Sequence, residues 1–184
     1  ILIVISFTLY FSTFSHSIYL EDSAEFVTAS HTLSVAHPSG YPTYLITTKL
    51  FSLIPFFPTI VERINFVSSI WTIVALILLH YVALKLFKSR LIAFSLVILF
   101  ATSPMVWMQA TYAEVYSLNT FFLILLIWSA IYYFEKKNNN RLYLFFFLYG
   151  LSLTNHFLPL VLAPLIGIWF LKNHPIKNNI IIYR

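Results

Sequence analysis

Apolar residues run along this chain in long blocks, broken at intervals by short polar clusters, and the block lengths predict the elements. A hydrocarbon core of about 30 Å takes roughly 20 helical residues to cross. Blocks 1–17, 64–84, 91–108 and 115–134 approach or meet that length, and each is predicted as a spanning helix. The stretch 142–171 is apolar apart from interruptions at Asn155-His156, Pro159 and Pro164. It is predicted as one long kinked helix or as a hairpin of two shorter ones. The hairpin is preferred, because a polar pair costs less at an interface than at mid-membrane. Block 43–57 is short, lies between Pro42 and Pro58, and contains Lys49. Runs of that length lie along an interface or re-enter it, so 22–57 is read as interfacial. The chain starts inside an apolar block and stops just after another restarts. It is expected to be part of a longer protein, with "KNHPIKNNIIIYR" as a cytoplasmic loop leading into the next span.

Charge orients these elements. Lys85/Lys88/Arg90, Lys136/Lys137/Arg141 and Lys172/Lys177 all fall on one side if 43–57 does not cross. Basic loops stay cytoplasmic. Loops 18–62 and 109–114 and the Asn155-His156 turn then share the non-cytoplasmic face. A spanning 43–57 would put the first two basic clusters outside, and is rejected on that ground. Composition agrees: 60% of 184 residues are hydrophobic and 9% charged, too little polar surface for a soluble domain. The fold class is an all-α integral membrane bundle, in a prokaryotic cell membrane or an ER-type membrane. The net charge of +5 does not indicate nucleic acid, because the cations sit between spans rather than on one soluble face. With no cysteine, disulfides, thiolate metal sites and a cysteine nucleophile are excluded.

Five of the six acidic residues, Glu21, Asp22, Glu25, Glu62 and Glu114, are thus predicted on one face, with His31, His37 and His156. Three of them crowd the start of "LEDSAEFVTASHTLSVAHPSGYP". Asp22 and Glu25 fit a capping box, with Asp22 as N-cap and Glu25 as third helical residue. Phe26, Ala29 and Leu33 then line the apolar side of a short interfacial helix. Alternatively Asp22 is a general base, partly desolvated near the bilayer and raised in pKa, while Glu25 caps. His37 sits on a Pro-Ser-Gly-Tyr-Pro turn, which is either a tight connection or a mount for a donor to phosphate or sugar hydroxyl. His31 and His37 are not an i,i+4 ligand pair, so no metal site is predicted from them. Glu114 is either favourably placed at a helix N-terminus or a second acid facing Asp22 across a cavity. Tyr112 and Tyr116 read as interfacial belt residues. Asn119, one turn into the bilayer, is expected to face protein or a cavity. Arg63 either snorkels or holds a phosphate.

The segments "EDSAEFVTASHTLSVAHPSGYPTYLITTKLFSLIP", "RINFVSS", "AEVYSLN" and "GLSLTNH" occur in this order over roughly residues 20–160. Together they resemble the transmembrane O-mannosyltransferase family that glycosylates plexin-type receptors in animals, with its prokaryotic relatives. The family's first motif is usually Asp-Ser-Gly-Glu and its second His-Pro-Pro-Gly-Tyr-Pro. Here Ala24 replaces the glycine and Ser39 the second proline, and no candidate polar group is lost. The resemblance implies a GT-C-like multi-span helical bundle with its active site on the non-cytoplasmic side. It implies an essential acid in the first external loop, matched by Asp22, and often another in the second, matched by Glu114.

The implied reaction is inverting transfer of a sugar, mannose in the animal relatives, from a polyprenyl-phosphate donor to a hydroxyl of a protein or glycan. Asp22 would take the acceptor's proton. Arg63, His37 or His156 would stabilise the leaving phosphate, and Glu25 and Glu114 would position sugar hydroxyls or Asp22. Asn119 and Asn155 complete the expected substrate-binding set. No cofactor is assigned beyond the lipid-linked sugar donor; a divalent metal is compatible with the superfamily, whose members differ on it. The rival reading is a transporter or flippase for a lipid-linked or polar substrate, since broken helices and intramembrane polar groups also mark transport paths. Against it, the acids cluster in loops and no inverted repeat is evident. A further alternative is a membrane protein whose loop binds a partner without catalysis.

Overall fold

The structure, a computed structural model, describes residues 2–173. Lys177 and the rest of the predicted cytoplasmic tail beyond Asn173 lie outside the described residues. Among the described residues the regular structure is helical throughout. In order it comprises α1 (Leu2–Phe11), α2 (Ser23–Thr32), α3 (Pro42–Ser52), α4 (Ile60–Phe87), α5 (Arg90–Ala101), α6 (Pro104–Thr111), α7 (Val115–Glu135), α8 (Asn139–Asn155), a 3-10 turn (Leu158–Leu162) and α9 (Ala163–Asn173).

Helix α4 is the spine. A capping box starts it: the Glu62 N–H donates to Thr59 Oγ1 at 3.2 Å, and the Thr59 N–H donates to Glu62 Oε2 at 3.1 Å. Lys88, in the left-handed region at φ 53°, ends it. Helices α4 and α7 are each long and apolar enough to cross a membrane. They run parallel. The Ala113 N–H reaches Asn65 Oδ1 at one end, and Lys85 meets Glu135 at the other. Small buried residues on α4 (Ser68, Ser69, Thr72 and Ala75) let neighbouring backbones come close. Ala75 and Val82 pack against Ile124 of α7, and Ser69 Oγ donates to the Ala110 carbonyl at 2.6 Å.

The return from α4 to α7 corrects the expectation of one continuous helix over 91–108. Helices α5 and α6 meet at a bend of 64°. Pro104 has no N–H to donate and its ring clashes with the carbonyl four residues back, so a helix cannot run through it unbroken. It becomes the first residue of α6 instead. Thr102 and Ser103 donate their hydroxyls to the Ile98 and Phe100 carbonyls, partnering the freed end of α5.

The stretch 142–171 is also broken, and the break falls at Asn155-His156. His156 is extended (φ −159°, ψ 146°), and Pro159 and Pro164 are the second residues of the 3-10 turn and of α9. Helix α9 folds back on α7 and α8: the Trp169 ring lies 5.5 Å from those of Tyr133 and Phe134 and 6.2 Å from that of Phe145. Helices α2 and α3 cap the other end of the bundle. They bury Phe26, Tyr44 and Leu45 against Ile64 of α4 and Leu118 and Phe122 of α7.

Candidate active site

One buried amide assembles the site. Asn65 Nδ2 donates to the carbonyls of Ser15 (2.8 Å) and Ser17 (3.0 Å), while its Oδ1 accepts from the Ala113 N–H (2.9 Å). The segment leaving α1 is thereby fastened beside the loop that enters α7. Tyr19 stacks on Tyr112 with ring centroids 4.4 Å apart, and the Tyr112 hydroxyl donates to Glu21 Oε2 at 3.5 Å. Glu21 lies in the left-handed region at φ 64°, which side chains other than glycine's enter at a cost.

Asp22, the next residue, belongs to a second set. Its Oδ2 lies 3.9 Å from His37 Nε2. His37 is gripped by Glu25: its backbone N–H donates to Oε1 at 2.6 Å, and Nδ1 bonds Oε2 at 2.8 Å. The Tyr41 hydroxyl bonds Nε2 at 2.9 Å. Tyr41 holds the left-handed region at φ 46°, directly after Gly40 at φ 82°. For so bulky a residue that is an outlier of the kind that gathers at functional sites. Packing against Phe26 at 5.3 Å steadies it. The expected capping box at Asp22 and Glu25 is corrected accordingly. Asp22 stands at the N-cap position with φ −84° and ψ 2° rather than the extended backbone an N-cap adopts, and makes no side-chain cap bond, while the Glu25 carboxylate closes on His37.

Glu114 completes the group from α7. It is 2% exposed and sits at the N-cap position without capping the helix. Burial, followed by repulsion from Asp22, raises its pKa to about 7, against a smaller opposing contribution from the Val115 N–H. The desolvated acid is therefore Glu114, whereas the Asp22 side chain is 57% exposed. The Glu25 hydrogen bond raises the His37 pKa, and the same bond to the His37 ring, reinforced by the His37 N–H, lowers that of Glu25.

The other expected residues divide. Asn155 is buried and donates Nδ2 to the Val115 carbonyl at 3.5 Å. His156 packs its ring between Tyr41 (5.8 Å) and Tyr116 (5.4 Å), with Nδ1 accepting from the Leu158 N–H. Both thus border the cluster. Asn119 is buried on a neighbouring cavity of about 510 Å³. Arg63 is not brought to the cluster. It donates to the carbonyls of Phe57, Ser52 and Pro58 and secures the link from α3 to α4. Tyr112, expected in an interfacial belt, is 1% exposed, because its ring is sandwiched in the junction that Asn65 holds.

Residues 22–179 match the family described as the protein O-mannosyl-transferase TMEM260 N-terminal domain. The chain belongs to that family. It is 36% identical over 107 residues to the mouse protein O-mannosyl-transferase TMEM260, covering 58% of this chain and 15% of that protein. It is 28% identical over 130 residues to the Dictyostelium discoideum protein of the same name, covering 69% of this chain and 16% of that protein. The chain thus spans about a sixth of the length of these curated relatives. No solved structure matches it. The matched range opens on Asp22 and takes in Glu25, His37, Glu114, Asn155 and His156.

In this TMEM260-family chain, the sequence alone assigned Asn65, Tyr41 and Glu21 no role of their own. Asn65 had a signal, a lone amide at the mouth of an apolar helix. Glu21 and Tyr41 owe their places to left-handed backbone, which nothing in their side chains announces. Asp22, Glu25 and His37 offer ligand atoms within 4.8 Å of one another, a donor set suited to a divalent transition ion. A bound ion would take one nitrogen of His37, replacing either the Glu25 bond at Nδ1 or the Tyr41 bond at Nε2. As it stands the arrangement is a hydrogen-bonded chain from Glu25 through His37 to Tyr41, facing one open carboxylate and one buried carboxyl.

Proposed function

We propose that this chain carries the site of an integral membrane glycosyltransferase. It moves a sugar, mannose by the names of its relatives, from a polyprenyl-phosphate donor to a protein or glycan hydroxyl on the non-cytoplasmic face. The supporting observation is that segments far apart in sequence bring Asp22, Glu25, His37 and Glu114 together at one end of a membrane-class bundle.

Asp22, open to solvent, accepts the proton of the acceptor hydroxyl as that oxygen attacks the anomeric carbon. The phosphate departs from the opposite face, so the configuration inverts. His37, held by Glu25, and His156 face the developing phosphate charge. Glu114, half-protonated near neutral pH, donates to a sugar hydroxyl or shares its proton with Asp22. Asp22→Asn in the full-length protein is expected to lower transfer from a lipid-linked donor by about 10²–10⁴-fold with normal membrane expression. Unchanged turnover removes Asp22 as base.

The burial of Glu114 favours one second reading, since a base works best with a pKa near the operating pH. In it Glu114 takes the proton and Asp22 orients the acceptor. Glu114→Gln separates the two: an amide still donates to a hydroxyl but accepts no proton. Turnover largely retained supports the donor role, and loss as deep as in Asp22→Asn makes Glu114 the base.

A further inference from the structure

The end of the bundle away from the acidic cluster carries an excess of positive charge. Two turns lie side by side there, residues 88–89 between α4 and α5 and residues 136–138 between α7 and α8. Lys85 and Arg141 share Glu135 and hold the turns together. Helix pairing accounts for those three side chains. It does not account for Lys88, Arg90, Lys136 and Lys137, which flank them. All four are exposed, and none is a partner in a close ion pair among the described residues. Glu135 is the one acid in 81–95 and 131–145. The positive-inside rule asks for cations in each loop separately. It does not ask the fold to set two basic loops against each other, where like charges repel.

The surroundings indicate which anion matches this charge. Leu86, Phe87, Leu91 and Phe134 each lie within two residues of one of these cations, and each is half or more exposed. Apolar side chains of a membrane-class bundle face hydrocarbon, so the cations beside them stand at the level of the lipid phosphates. Nucleic acid or an acidic protein would answer the charges but leave those side chains in water. A zwitterionic lipid brings its own cation and answers the charges less well. Basic clusters at the ends of spanning helices bind anionic headgroups on these grounds. We propose that the paired turns form a headgroup site for an anionic phospholipid. Its phosphate lies among Lys88, Arg90, Lys136 and Lys137, and its acyl chains run beside Phe87 and Phe134. The inference stands apart from the transferase reading above.

Native mass spectrometry tests it by counting the lipids carried by full-length protein in detergent. The protein is titrated with phosphatidylglycerol, or with phosphatidylcholine of the same acyl chains. Each lysine or arginine near an anionic surface is worth about fivefold in binding. Wild type is therefore expected to take its first phosphatidylglycerol about tenfold or more tighter than its first phosphatidylcholine. Lys88→Gln, Arg90→Gln, Lys136→Gln and Lys137→Gln combined should erase that preference and leave phosphatidylcholine binding unchanged. Lys49→Gln, on α3 at the other end of the bundle, should keep it. Should the fourfold variant fail to insert, the Lys88→Gln/Arg90→Gln and Lys136→Gln/Lys137→Gln pairs decide, each by a partial loss. Soluble glycerol phosphate should displace the lipid only at far higher concentration; displacement at equal concentration would mark a free-phosphate site and overturn the lipid. Equal affinity of wild type for the two lipids, or a preference that survives in the variants, overturns the site. Loss of the preference in Lys49→Gln overturns it too, because the effect would then follow total charge rather than place.

Discussion

The two ends of the parallel α4–α7 pair treat carboxylates in opposite ways. At the far end Glu135 is shared by Lys85 Nζ at 2.5 Å and Arg141 Nη1 at 3.6 Å, and the Arg141 guanidinium lies 3.5 Å from the Tyr132 ring centroid. That acid is matched by cations, and the arrangement does nothing that helix pairing does not explain. At the near end Glu21, Asp22, Glu25 and Glu114 converge, and the group that answers Asp22 and Glu25 is a single imidazole. Gathering like charges and burying one of them works against folding. Such arrangements persist where the charge has a task. The comparison therefore separates scaffold from site more sharply than residue type does, since both ends contain glutamate and tyrosine.

The strongest way to break the contrast is to remove what assembles the near end. Asn65→Leu would leave the buried Ala113 N–H and the part-buried Ser15 and Ser17 carbonyls without their partner. We expect a loss of about 4 kcal/mol in stability, at roughly 1–3 kcal/mol per orphaned group, with transfer activity lost alongside. Chemical denaturation of the reconstituted protein measures it. A variant as stable as wild type would mean that the junction does not hold the site together.

Glu114→Gln should act more weakly and in the opposite direction. The folded-state pKa of Glu114, about 7, lies above its ordinary 4.5. The folded protein therefore holds that proton more tightly than the unfolded chain does. The contribution to stability is complete below pH 4.5, declines as the pH rises to 7, and stays lost above. Glutamine has no charge to desolvate, so the variant should match wild type at pH 4 and exceed it at pH 8 by at most about 3 kcal/mol. Thermal midpoints across pH provide the measurement. Parallel profiles would show that the carboxyl is not desolvated.

Much of this was legible beforehand, for identifiable reasons. The lengths of the apolar blocks fix which segments are helical. The family motifs set Asp22, Glu25, His37 and Glu114 apart from the other polar residues. Pro104 was visible too, but a hydropathy block hides a proline, since apolar residues on both sides of a bend read as one run. The capping box was misplaced for a related reason: Thr59–Glu62 and Asp22–Glu25 have the same spacing, and tertiary context decides between them. His37 lies twelve residues beyond Glu25 and offers it two hydrogen-bonding nitrogens, which no local rule anticipates. Left-handed backbone at Glu21 and Tyr41 was illegible because neither residue type favours it.

The smallest effect belongs to the matched end. Glu135→Gln removes an exposed carboxylate from two partly exposed cations, Lys85 at 27% and Arg141 at 15%. Pairs of this kind contribute little, because solvent screens them and long side chains lose freedom to make them. The Arg141 guanidinium keeps its place over Tyr132 and its bond to the Tyr132 carbonyl, so α8 stays registered on α7. Stability should therefore barely move, and sugar transfer should not move at all. Measured beside Glu25→Gln, which keeps the side-chain shape but takes the charge from His37, the pair isolates position from chemistry. Equal losses of transfer in the two variants would erase the distinction between the ends, because the same glutamate-to-glutamine change would then matter regardless of what surrounds it.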